Sequence, residues 1–144
     1  KDAHWSVTFS IDGLKDTNHI YRRNVNWNVL MENVNAFIVA GGPAVWDYLI
    51  FKHNEHQIDE ANELSKTLKF SEFIPKKALG VDQNNRLKPM PVLNKHGQLD
   101  YIIEAPLNHK NRNLEFPEGT DEVTVYSFTV DEYKKLKEAE ELLK

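Results

Sequence analysis

The stretch AVWDYLIF (44–51) is apolar at nearly every position, and no other segment limits the fold as strongly. A strand of this kind needs cover on both faces, so it belongs in the middle of a sheet flanked by further layers. Its neighbours supply those layers. Upstream, HWSVTFSI (4–11) places Trp5, Val7, Phe9 and Ile11 on one face of a period-two pattern rich in aromatic and β-branched residues. NWNVLMENVNAFIVAGG (26–42) carries Trp27, Leu30, Met31, Val34, Phe37 and Ile38 at helical spacing and stops on a glycine pair. Downstream, IDEANELSKTL buries Ile58, Ala61, Leu64 and Leu68 with acids in its first turn, and FSEFIPKKAL (70–79) reads as a third strand. Strand, helix, strand, helix, strand with short connections specifies parallel βαβαβ units, whose crossovers are right-handed.

The texture changes near Val81. VDQNNRLKP is a polar loop, MPVLNKHGQLDYIIEAP reads as a hairpin turning at Asn94–Gly97, and HKNRNLEFPEGTDE is irregular. VTVYSFT is a further strand, and VDEYKKLKEAEELLK is a C-terminal helix capped by Thr129 or Asp131. The expected organisation is an α/β core over residues 1–80 and a linker, hairpin and helix extension over 81–144 that packs on it.

At 144 residues and 40% hydrophobic content, one domain with a sizeable core is expected. The net charge of -4 comes from interspersed acids and bases, which gives no basis for nucleic-acid or anionic-membrane partners. No run of about 18 apolar residues and no signal-type leader is present, which points to a cytoplasmic protein. There is no cysteine, so disulfides, thiolate metal sites and cysteine-bound iron–sulfur clusters are excluded within the chain.

Two loops leave strand ends and carry functional groups. In KHNEHQ, His53 and His56 with Glu55 or Glu60 could ligate a metal, but histidines at i and i+3 across a loop-to-helix junction miss the i, i+4 spacing of zinc helices. No metal site is assigned. The bland reading is a strand-to-helix turn, and Asn54 within it is still placed where α/β sheets bind ligands. SIDGLKDTNHIYRRN combines Ser10, Asp12, a glycine and the adjacent Arg22 and Arg23, the last two suited to bidentate carboxylate or phosphate recognition. Taken alone, this reads first as a solvated connection with its arginines lying over the next helix.

SIDG at a strand end, then NHIYRR, the helix NVLMENVNAFIVAGG, the strand WDYLIFKHN and the helix QIDEANELSKTLKF together resemble the second half of the core of radical S-adenosylmethionine (SAM) enzymes of the type with a C-terminal SPASM cluster domain. The resemblance covers about residues 4–79. It implies a partial (β/α) barrel, with these strands as its fourth to sixth. It also implies that Ser10 contacts the ribose of SAM, with Asp12 in the same SIDG motif, and that Arg22 holds the methionyl carboxylate. Asn54 would lie near the ribose and amino-acid part, and Ile74 near the adenine. The family's HDxxR-like pattern reads NHIYR here, with His19 in place of the acid, so Arg23 is a rival to Arg22.

The family's CxxxCxxC loop is missing, so a [4Fe–4S] cluster would belong to a full-length parent only, and this chain alone would be inactive. A start at Lys1, almost on a strand, is read as truncation from a longer enzyme. The rival reading, from a different class, is a non-catalytic α/β binding or interaction module. The substrate is not legible. The strand at 4–11 is expected to be an unprotected edge, and the sheet face that would line a barrel is expected to be apolar. Both features point to a homo-oligomer, joined through that strand or through the hairpin at 90–105.

Overall fold

The computed structural model describes residues 5–77 and 89–108. Within them the order is strand β1 (Val7–Ser10), a single helical turn α1 (Asn18–Tyr21), helix α2 (Trp27–Val39), strand β2 (Ala44–Ile50), a 3₁₀ turn (Glu55–Gln57), helix α3 (Ile58–Thr67), strand β3 (Glu72–Lys77), and strands β4 (Met90–Leu93) and β5 (Leu99–Ile103). The first three strands form a parallel sheet in the order β1-β2-β3, and the last two an antiparallel hairpin. The chain is thus mixed α/β, with β2 in the centre as its apolar run requires. The further strand and C-terminal helix expected over 123–144, and the loop at 81–88, lie outside the described residues.

Each helix has a local cause. Asn26 caps α2 by accepting from the Val29 N–H at 3.1 Å, and α2 ends where Gly41 takes φ 89°, a left-handed conformation that suits glycine. In α3, Asp59 and Glu60 sit in the first turn and Lys66 in the last, matching the helix dipole at both ends.

Strand alternation divides the sheet into two unlike faces. Phe9, Trp46, Tyr48, Ile50 and Phe73 point toward the helices and meet Leu30, Met31, Val34, Ile38, Ala61 and Leu64. Trp46 is fully buried, wedged between Phe70 and Phe73, and its indole N–H donates to the Ile11 carbonyl at 2.8 Å. The other face carries Thr8 and Ser10 from β1, Val45, Asp47 and Leu49 from β2, and Glu72, Ile74 and Lys76 from β3, in register. It was expected to be apolar. Five of these eight are polar or charged, because the aromatic residues of β1 and β3, Phe9 and Phe73, fall on the alternate positions that face the helices.

The hairpin packs on the carboxyl end of β2. Ile103 and Phe51 form a small second core with Ile20, Tyr21, Leu49, Met90, Val92 and Tyr101. Three further links fasten it. Tyr101 Oη donates to the Ile20 carbonyl at 2.5 Å, the Lys52 N–H to the Glu104 carbonyl at 3.0 Å, and the Leu107 and Asn108 N–H groups to the Glu55 carboxylate at 2.8 and 3.0 Å.

Candidate functional site

The loops after β1 and β2 meet at the carboxyl ends of the strands, where ligands of open parallel sheets bind. Asp12 is the hub. Its side chain is fully buried, and its carboxylate accepts from the Leu49 N–H at 2.7 Å and from Arg22 Nε at 2.6 Å. Its own N–H donates to Asn18 Oδ1 at 2.8 Å, and its carbonyl accepts from Asn54 Nδ2 at 3.0 Å. Burial pushes the Asp12 carboxyl upward, with the Asp47 charge adding to the rise, while the Leu49 hydrogen bond and Arg22 pull it back.

Gly13 makes the turn after Asp12 possible. It sits at φ 145°, and a Cβ there would run into Thr17 Oγ1 and lie 2.8 Å from the Asn18 nitrogen. Thr17 in turn accepts from the Leu14 N–H at 3.0 Å and donates to Gln57, whose amide nitrogen donates to Asp16 at 2.8 Å. The 3₁₀ turn after β2 is therefore stitched to the loop after β1.

Asn54 shows what the KHNEHQ turn does. It is fully buried, accepts from the Phe51 N–H at 2.7 Å, and donates to the carbonyls of Asp12 and Leu49 at 3.0 and 2.8 Å. Both of its amide hydrogens are spent on backbone, and Tyr48 Oη closes the knot by donating to the Asn54 carbonyl at 2.7 Å. The two histidines flank this clamp. His53 stacks on Phe51 with ring centroids 5.3 Å apart, and its buried Nε2 has no hydrogen-bond partner among the described residues. Burial, with His19 and His56 nearby, holds its pKa down at about 4. Among the described residues no group of three or more His, Asp or Glu side chains is placed to hold a metal.

The two arginines part company. Arg22 turns to Asp12, and its side chain is 35% exposed; among the described residues its two terminal nitrogens have no hydrogen-bond acceptor. Arg23 turns to the hairpin, donating to the Leu93 carbonyl at 2.9 Å, lying 3.5 Å from Asp100 and stacking over Tyr101. Only Arg22 therefore reaches the strand ends. Ser10 and Ile74 lie on the polar face of the sheet, both in register with Asp47, which stands between them. Lys76, one step further along β3, meets Asp47 Oδ2 at 2.5 Å.

Asp12 and Arg22 thus pair beyond the end of β1, whose last residue is Ser10, and Asn54 holds the same loop through the Asp12 carbonyl. Sequence reasoning passed over Asp47 and Lys76. A lone acid inside an otherwise apolar strand was the available signal. Comparison of the chain with family models, with curated proteins and with solved structures finds no match.

Proposed function

We propose that the chain supplies the SAM-binding portion of a radical SAM core, a partial (β/α) barrel whose cluster ligands lie outside these 144 residues. The observation that carries this reading is the Asp12–Arg22 pair. A buried carboxylate fixes a guanidinium by one nitrogen at the carboxyl ends of two parallel strands, and the fork's other two nitrogens are left for a planar anion such as a carboxylate. Arg22 would hold the methionyl carboxylate, Ser10 would meet the ribose, and Ile74 would offer an apolar edge to the adenine.

Asp12 acts one step back. It orients Arg22 and offsets its charge, and it joins the loop to β2 through the Leu49 N–H. Asn54 supports the same loop from behind. A [4Fe–4S] cluster together with SAM would supply one-electron chemistry, and the residues of this chain would contribute only the hold on SAM. No side chain of this chain fits that cluster, since none is a cysteine.

Isothermal titration of SAM into the chain, with Arg22→Gln and Arg23→Gln as variants, tests the reading. Weak binding is expected, weaker than a Kd of about 1 μM, because half the contacts belong elsewhere. Arg22→Gln should weaken it further and Arg23→Gln should not. Equal effects of the two variants, or no binding at all, would sink it.

A further inference from the structure

We propose that Asp47 and Lys76 form a recognition site for a zwitterionic ligand of amino-acid type on the polar face of the sheet. The proposal extends the reading above, on which it rests for the reason a ligand would be present there.

The two side chains meet at 2.5 Å and are 20% and 26% exposed. Stability does not explain them. Partly exposed ion pairs contribute about 0–1 kcal/mol, and aspartate is a poor strand former, yet Asp47 occupies the middle of the most apolar strand of the chain. Each partner also keeps unused capacity. Among the described residues Asp47 Oδ1 accepts nothing, and one hydrogen bond to Asp47 leaves the Lys76 ammonium with two further donors. Leu49, on the same face, packs with the hairpin core, while Asp47 and Lys76 each keep part of their side chain exposed.

A ligand carrying an ammonium and a carboxylate can add to this pair as a four-centre array. The ammonium goes to Asp47 Oδ1 and the carboxylate to Lys76, and no charge is left without a partner. A plain anion would face Asp47, and a plain cation would face Lys76, each at a cost in repulsion and desolvation. Ser10 and Ile74, on either side of Asp47, border the same place with a hydroxyl and an apolar surface. The zwitterion is a ligand distinct from SAM, whose methionyl carboxylate the reading above gives to Arg22.

The test is an amide-resolved NMR titration of the full chain with L-methionine, N-acetyl-L-methionine and L-methioninamide, which are a zwitterion, an anion and a cation built on the same side chain. Methionine should shift the amides around Asp47 and Lys76, with the other two roughly fivefold weaker or worse. Asp47→Asn and Lys76→Gln should each remove that preference, by a similar factor. Persistence of the methionine shifts in excess SAM is expected, and their displacement by SAM would overturn a site of its own at Asp47 and Lys76.

Equal affinity for all three probes, no shifts at these amides, or a preference that survives both variants overturns the proposal. Should Asp47→Asn lose its dispersed spectrum, Lys76→Gln, the more exposed partner, decides alone. SAM binding that is insensitive to Arg22→Gln, with the zwitterion preference intact, would remove the SAM assignment and leave this site standing.

Discussion

Replacing Asn54 by alanine isolates the clamp that joins the two loops. Three side-chain hydrogen bonds disappear, to the Phe51 N–H and to the carbonyls of Asp12 and Leu49, and none of the three groups is given a new partner by the methyl side chain. At about 1 kcal/mol net for each buried bond, and more where a group stays dry and unpaired, the loss sums to about 2–4 kcal/mol. Urea unfolding followed by tryptophan fluorescence, to which buried Trp46 contributes, should place the midpoint about 1–3 M lower, given slopes typical of small proteins. Asn54→Asp sharpens the test. It keeps the acceptor for the Phe51 N–H but sets a carboxylate against two carbonyls and close to Asp12, so at pH 7 it should be less stable than Asn54→Ala. A loss under about 1 kcal/mol for Asn54→Ala, or an aspartate variant as stable as wild type, would refute the clamp.

Three other expectations concern the same region. Gly13→Ala should cost about 1–3 kcal/mol by thermal or urea unfolding, from a backbone at φ 145° and a Cβ set against Thr17 and Asn18. In the same assay Arg22→Gln should cost about 1–3 kcal/mol, because it strips the cation from buried Asp12; Arg23→Gln, whose ion pair is exposed on both sides, should cost under about 1 kcal/mol. His53 has a folded pKa of about 4 against 6.5 for the free side chain, so the unfolded chain binds the extra proton between those values. Its contribution is complete above pH 6.5 and is lost as pH falls toward 4, by about 1–3 kcal/mol after allowance for its partial exposure. His53→Leu should flatten that part of the stability profile, and an unchanged slope would assign the acid sensitivity to other groups.

The layout of the core was legible because it depends on patterns that act locally. The apolar run of β2 placed it centrally, the 3.6-residue spacing of α2 and α3 marked their buried sides, and the Asn94–Gly97 turn marked the hairpin. The polar sheet face was misjudged for a specific reason. Trp5, Val7, Phe9 and Ile11 drew attention to one side of the first strand, while Thr8 and Ser10 between them defined the other. Asp47 was similarly hidden, its charge averaged away by seven apolar neighbours in AVWDYLIF.

The role of Asn54 was beyond sequence pattern altogether. Its bond to the Asp12 carbonyl spans 42 positions and exists only because the sheet brings two loops together. The choice between Arg22 and Arg23 was likewise set by the hairpin, whose Leu93 carbonyl lies 70 positions from Arg23.

Because Asn54 grips the loop after β1 while Asp12 grips β2, neither loop can open without releasing the other. In hydrogen-exchange terms they form one cooperative unit. The amides of Asp12, Leu49 and Phe51, each bonded to a side chain of this knot, should exchange with a common opening free energy. The exposed Asn94–Gly97 turn should exchange independently and faster. A scaffold of this kind holds the Asp12 carboxylate, and with it Arg22 Nε, in one place.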